Sequence, residues 1–221
     1  MKINEIFKSI SGEAARAGLP VIFIRTYGCN LRCSYCDTMY AVEGGEYLQM
    51  EPEEILKTCE SMKLKRVVLT GGEPLIQPDA PKLVDLLCDN GYEVEIETNG
   101  AVGLPLFHTK LKTKNKYLLS YTMDYKGHSS LMTEKMLKTN LEFLSDKDVL
   151  KFVVGCMEDL TQVEDILLNE EVHAQVFISP VFGKIDPKEI VEFILSDPKL
   201  NNCRLQLQLH KLVWDVNKRG V

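Results

Sequence analysis

An α/β fold built as an incomplete βα barrel is what this sequence predicts, on three observations. Short β-rich runs alternate with amphipathic stretches along the chain, the amphipathic stretches open on helix start signals, and polar or unusual residues collect just after the strands. The run VIFIR (21–25) is β-branched and aromatic up to Arg25 and predicts the first strand. Pro52 after Glu51 opens a helix over 52–62, RVVLT (66–70) follows as a strand, and Asp79 opens a helix over 79–90. YEVEIET (92–98) and YLLSYTMD (117–124) are the next strands, then a helix over 133–144 from Thr133. VLKFVV (149–154), a helix over 158–168 from Glu158, AQVFIS (174–179), a helix over 187–196 with Pro187 after Asp186, and RLQLQL (204–209) complete the series. Right-handed crossovers curl such a chain into a barrel or a doubly wound sheet. A complete eightfold barrel takes about 250 residues, so 221 residues with seven candidate strands predict a partial TIM barrel of the (βα)6 type, about six units.

No Pro/Gly/Ser-rich linker, long charge run or sequence repeat interrupts the chain, which predicts a single domain over 1–221. Hydrophobic residues at 45% and charged ones at 26% are average for a globular protein and exclude a fibrous or low-complexity chain. Lys+Arg 26 against Asp+Glu 32 gives −6, so no global positive field draws the chain to nucleic acid or to an anionic membrane. The opening MKINEIFKSISGE is too polar for a signal peptide, and no stretch approaches the roughly 18 apolar residues of a membrane span. The expectation is a cytoplasmic protein with neither nucleic-acid nor membrane partners.

Seven cysteines do not pair evenly into disulfides, and metal binding or catalysis is the better use in such a chain. Cys59, Cys88, Cys156 and Cys203 are scattered and read as small core residues, but Cys29, Cys33 and Cys36 lie within eight residues as C-x-x-x-C-x-x-C. Three thiolates on one short loop hold three irons of a cubane and leave the fourth open to a substrate. The alternative, structural zinc, calls for four protein ligands and often a second C-x-x-C pair, which this sequence lacks. After the other strands come Gly71-Gly72-Glu73, Glu97-Thr98-Asn99, Asp124 with Lys126, Ser179-Pro180 and His210. In parallel βα architectures the carboxyl ends of the strands carry the active site, so these clusters predict one site on one rim.

The cysteine triplet after a first strand, Tyr35 just before the third Cys, and Thr70-Gly71-Gly72-Glu73-Pro74 after the second strand resemble the radical S-adenosylmethionine (SAM) superfamily. The opening Glu5-Ile6-Phe7-Lys8-Ser9-Ile10-Ser11-Gly12-Glu13, the Phe23-Ile24-Arg25 strand end, the Gly28-to-Thr38 core and the late Leu207-Gln208-Leu209-His210-Lys211 are similar to the 7-carboxy-7-deazaguanine synthase family. The resemblance implies a homodimeric lyase of queuosine and deazapurine biosynthesis that uses a 4Fe–4S cluster, SAM and Mg²⁺. It implies that a hydrogen is taken from C6 of 6-carboxy-5,6,7,8-tetrahydropterin, that the ring contracts with loss of ammonia, and that an external donor such as flavodoxin or ferredoxin supplies the electron.

On the matched residues the resemblance implies cluster ligation by Cys29, Cys33 and Cys36, and Mg²⁺ at Thr38, which otherwise reads as an N-cap. It implies SAM contacts at Tyr35, Cys36, Asp37, Gly72, Glu73, Asp124, Tyr125, Lys126, Ser179, Pro180, Val181 and Phe182. Two glycines let backbone come close to the cofactor and a carboxylate accepts from its ammonium. Substrate falls to the loop Ile10, Ser11, Gly12 and Glu13, to Arg25 for the carboxylate, and to Thr70, Glu97 and His210, with the C-terminal strand and tail closing the site. Glu97 as a cap of Thr98-Asn99, His210 as a core histidine and Lys126 as a solvated lysine remain open readings. The chain departs from the family at Ser11, usually Gln, and at Asp124-Tyr125-Lys126, usually Ser-Pro-Lys. A glycyl-radical activating enzyme shares the cysteine spacing but needs a protein partner; an iron–sulfur sensor would leave Gly71-Gly72-Glu73 without a purpose.

Overall fold

Nine runs of extended residues form β1 (Lys2–Ile10), β2 (Pro20–Thr26), β3 (Leu48–Gln49), β4 (Arg66–Gly71), β5 (Glu93–Thr98), β6 (Leu119–Lys126), β7 (Val149–Val154), β8 (Gln175–Pro180) and β9 (Cys203–Leu205). The computed structural model describes residues 1–216 and 218–221, and its strands make one sheet in the order β3-β1-β2-β4-β5-β6-β7-β8-β9. From β2 through β9 neighbours are parallel; β1 is antiparallel to β2 and β3. The sheet begins at β3 and ends at β9 without closing, which is the partial barrel the alternation predicts.

The connections carry α1 (Met39–Val42), α2 (Pro52–Ser61), α3 (Ala80–Asp89), α4 (Leu104–Thr109), α5 (Thr139–Phe143), α6 (Met157–Asn169), α7 (Pro187–Ser196) and α8 (Leu209–Val213). Helix α2 starts on the expected signal: Glu51 and Glu54 form a capping box around Pro52. Asp186 caps α7 through the Lys188 amide. The apolar stripes Ile55/Cys59 of α2, Leu83/Val84/Leu87 of α3, Leu160/Val163 of α6 and Ile190 of α7 join Ile22, Ile24, Val67, Leu69, Val94, Ile96, Met123, Leu150, Phe152 and Ile178 in one core. Each such side chain contributes roughly 1.5–3 kcal/mol of gross burial energy. Successive strand residues point to opposite faces, so the residues between these face the hollow of the barrel. Ala14, Val149 and Phe177 form a small separate cluster.

Three expectations change. Residues 2–10 form a strand that the sequence does not announce, because a register shift between Ile3 and Glu5 breaks the alternation. RLQLQL pairs only at Arg204 and Leu205, with the Gln206 amide adding a bond to Ile178; β9 is the last strand, bonded on one side to β8, and Leu209-His210-Lys211 turn into α8. The helix expected over 133–144 divides into a short 3-10 turn (Thr133–Lys135) and α5, because the Leu137 amide bonds Gly100 and the Asn140 side chain bonds Gly100, Val102 and Leu104. Cys59 and Cys88 are buried as expected of core residues, whereas Cys156 and Cys203 are half-buried.

Candidate active site

The barrel's hollow opens into a cavity of ≈ 560 Å³ walled by the cysteine loop, the strand ends, α8 and the last residues of the chain. Cys29, Cys33 and Cys36 all line it and none is in a disulfide. Their loop is stitched to the next strand's loop: the Glu73 amide donates to the Gly28 carbonyl at 2.9 Å and the Gly72 amide to Thr26 at 3.1 Å. A Cβ on Gly72 would collide with the Gly28 carbonyl, and Gly71 sits at φ +139° against Thr26. The glycines are therefore required first by this loop-to-loop approach, a reason different from closeness to a cofactor.

The donor set suits an iron–sulfur cubane. The Leu31 amide and the Asn99 side chain point N–H groups at Cys29 Sγ, at 3.4 and 3.5 Å. Burial pushes the Cys29 and Cys33 thiols up, and the neighbouring cysteines push them further, an opposition that a bound cation removes. Among the described residues no three His, Cys, Asp or Glu side chains converge to hold a single metal ion, as zinc would need; a cubane spreads its thiolates over separate irons.

A chain of charges lines the same cavity. Arg25 Nε donates to Glu5 Oε1 at 2.7 Å, and the Tyr40 hydroxyl donates to the same oxygen at 3.2 Å, so one side of the guanidinium is held by protein. Lys151 pairs with Glu13 and, at 2.9 Å, with Asp124; Asp124 also pairs with Lys126 at 2.9 Å. Burial works to raise Asp124, but the two lysines outweigh it and hold the carboxyl below the usual range. Burial pushes Glu97 up to about 7; Lys151 opposes the rise, while Glu95 and Glu13 add to it. Burial holds His210 below the ordinary histidine range.

The structure brings most of the expected residues to one place. Ile10, Gly12, Glu13, Arg25, Thr70, Glu97 and His210 line the cavity, as do Tyr35, Asp37, Thr38, Gly72, Asp124, Lys126, Pro180, Val181 and Phe182. Four side chains depart from expectation. Ser11 is buried, its hydroxyl bonded to the Glu13 carbonyl. Tyr125 follows the pleat, pointing away from the face that Asp124 and Lys126 share and packing against Phe152. Ser179 is buried short of the wall. Glu73 is fully enclosed, accepting from the Leu75 amide, Thr98 Oγ1 and the Asn99 amide, so it performs the capping that was an open reading for Glu97. Thr38 occupies the N-cap position of α1 but makes no side-chain cap bond, leaving its hydroxyl to the cavity, 3.7 Å from Cys36 Sγ. Lys126 is ion-paired rather than solvated.

Sequence reasoning missed Lys151 and Glu5. A lysine inside VLKFVV is the legible signal for the first, since a charge in a buried strand demands partners. Glu5 opens the family-like stretch Glu5 to Glu13, but nothing marked it as the partner of Arg25, because its strand was not foreseen.

The Radical SAM superfamily profile matches residues 23–111. Over its whole length the chain is 46% identical to a 7-carboxy-7-deazaguanine synthase of Clostridium acetobutylicum, covering 99% of that protein. It is 40% identical to one of Methanospirillum hungatei over 96% of this chain and 85% of the other. Among solved structures, QueE from Escherichia coli superposes with a TM-score of 0.74 at 24% identity, over 94% of this chain and 93% of that one, a likeness of fold.

Proposed function

The chain belongs to the 7-carboxy-7-deazaguanine synthase family, and from that premise we propose that it contracts 6-carboxy-5,6,7,8-tetrahydropterin to 7-carboxy-7-deazaguanine with loss of ammonia, in deazapurine and queuosine biosynthesis. Cys29, Cys33 and Cys36 hold a 4Fe–4S cluster. Tyr35, Asp37, Gly72, the Asp124–Lys126 pair, Val181 and Phe182 would hold SAM. When bound, the cluster would supply SAM with one electron, and SAM would supply a carbon-centred radical able to take a hydrogen atom. Arg25, its Nε occupied by Glu5, turns its remaining N–H groups to the substrate carboxylate. Glu13 and Glu97 accept from the amino-pyrimidine N–H groups, and His210, neutral near pH 7, adds a hydrogen bond. The Thr38 hydroxyl, free of any cap bond, would be a protein ligand to Mg²⁺, which commonly takes few of them.

The observation that carries this reading is one cavity lined by three cysteines together with Arg25 and the carboxylates Glu13 and Glu97, the complement of an acid-bearing pterin. The reading extends to a homodimer, to an external donor such as flavodoxin or ferredoxin, and to the cytoplasm, whose reducing conditions suit seven free cysteines. Among the described residues no helix is long and apolar enough to cross a membrane.

Anaerobic reconstitution with SAM, reductant, Mg²⁺ and 6-carboxytetrahydropterin tests the reaction by mass spectrometry. The expected result is the deazaguanine product, absent in Cys33→Ala. Reductive cleavage of SAM without that product would overturn the substrate assignment and leave a radical SAM enzyme of another kind.

A further inference from the structure

A lysine at the middle of β7 has no reason to be there on packing grounds. Its neighbours Leu150 and Phe152 face the core, but the pleat turns Lys151 into the hollow, where it is buried to 6% exposure. A buried ammonium without partners costs far more than any strand gains from it. Here it has two: Glu13, on the loop after β1, and Asp124 Oδ1 at 2.9 Å, on β6. Asp124 turns its other oxygen to Lys126, and Glu13 turns its other oxygen to Gln208, just before α8. Lys151 is thus the junction between the wall assigned to SAM and the wall assigned to substrate.

We propose that Lys151 is a positioning residue that ties the substrate-side Glu13 to the cofactor-side Asp124 and keeps the carboxylates facing the pterin in their accepting form. This rests on the substrate reading above. Glu97 on β5 is the sensitive group. It is acted on by Lys151 from β7, Glu13 from the first loop, Thr70 from β4 and Glu95 on its own strand, and it shares the cavity with Arg25 from β2, Asp124 from β6 and His210 from α8. Of the cations around it, Arg25 is engaged by Glu5 and Lys126 by Asp124, so Lys151 is the one whose loss leaves Glu13, Glu97 and Asp124 facing one another without a shared counter-charge. Glu97 would then hold its proton to higher pH, and a protonated carboxyl accepts poorly from the pterin N–H groups.

The experiment measures the dissociation constant of 6-carboxytetrahydropterin for the reconstituted enzyme by calorimetry, without turnover, from pH 6 to 9, in wild type, Lys151→Met and Lys151→Arg. With the wild-type carboxyl at about 7, loss of the lysine is expected to weaken binding at pH 7 about fivefold for the first unit by which the carboxyl rises and about tenfold for each further unit, with recovery at alkaline pH. Lys151→Arg, which keeps the charge, is expected to stay within about threefold of wild type. Should Lys151→Met fail to melt cooperatively, Lys151→Gln serves in its place. The same loss at every pH, or an arginine variant as weak as methionine, would overturn the proposal by reducing Lys151 to a packing role. Wild type that makes no deazaguanine would instead sink the substrate reading, a separable result.

Discussion

The strands of this barrel have two buried faces of opposite character. Outward, Ile24, Leu69, Ile96, Met123, Leu150 and Ile178 meet the helices with no polar atom among their side chains. Inward, their sequence neighbours Arg25, Thr70, Glu97, Asp124 and Lys151 meet one another across a cavity. Apolar burial is strongly favourable, whereas a buried ion pair often stabilises less than an apolar replacement of the same volume. Alternate residues along one strand therefore serve different ends: the outer set holds the fold, and the inner set holds charges where a substrate can use them, at some expense in stability.

Substitutions can break or sharpen that contrast. The largest expected effect is in the cysteine loop, where Cys33→Ala should abolish both product and the cluster's visible absorbance while the metal-free protein melts near the wild-type temperature. Next, Arg25→Met should lower kcat/KM on the order of a hundredfold or more, as removal of one partner from a charge-assisted pair costs about 2–5 kcal/mol, with melting shifted by only a few degrees. Leu69→Ala reverses the pattern: a cavity in the outer core costs about 2–5 kcal/mol and lowers Tm by roughly 5–15 °C, with KM for the pterin unchanged. The smallest is Glu51→Ala, which removes half of the α2 capping box far from the cavity; thermal melts should show about 1 kcal/mol lost and steady-state kinetics no change.

The parallel strands were legible because each is an apolar run bounded by turns, and β7 (Val149–Val154) matches its expected bounds. β1 was not, since the break between Ile3 and Glu5 erases period two, and RLQLQL overstated β9 because alternation alone does not supply a pairing partner. The site followed the same logic. Residues just after strands, such as Cys29, Gly72, Asn99 and His210, could be read from position, and the family likeness added Thr38. Lys151 and Glu5 required knowing which strand residues face inward, and Glu73 and Tyr125 show the converse error, since a motif's neighbours in sequence need not share a face.

The most direct test of the contrast is Glu97→Gln, read by melting temperature and by pterin affinity on the same protein. Burial raises the folded-state carboxyl from 4.5 to about 7, so its ionisation works against the fold as pH rises through that window. Glu73, raised in the same direction, is present in both proteins and cancels. The account predicts that Glu97→Gln melts higher than wild type at about pH 7.5, that the gap closes towards pH 5, and that pterin binding is lost. A variant that melts lower at pH 7.5 and still binds the pterin would contradict it.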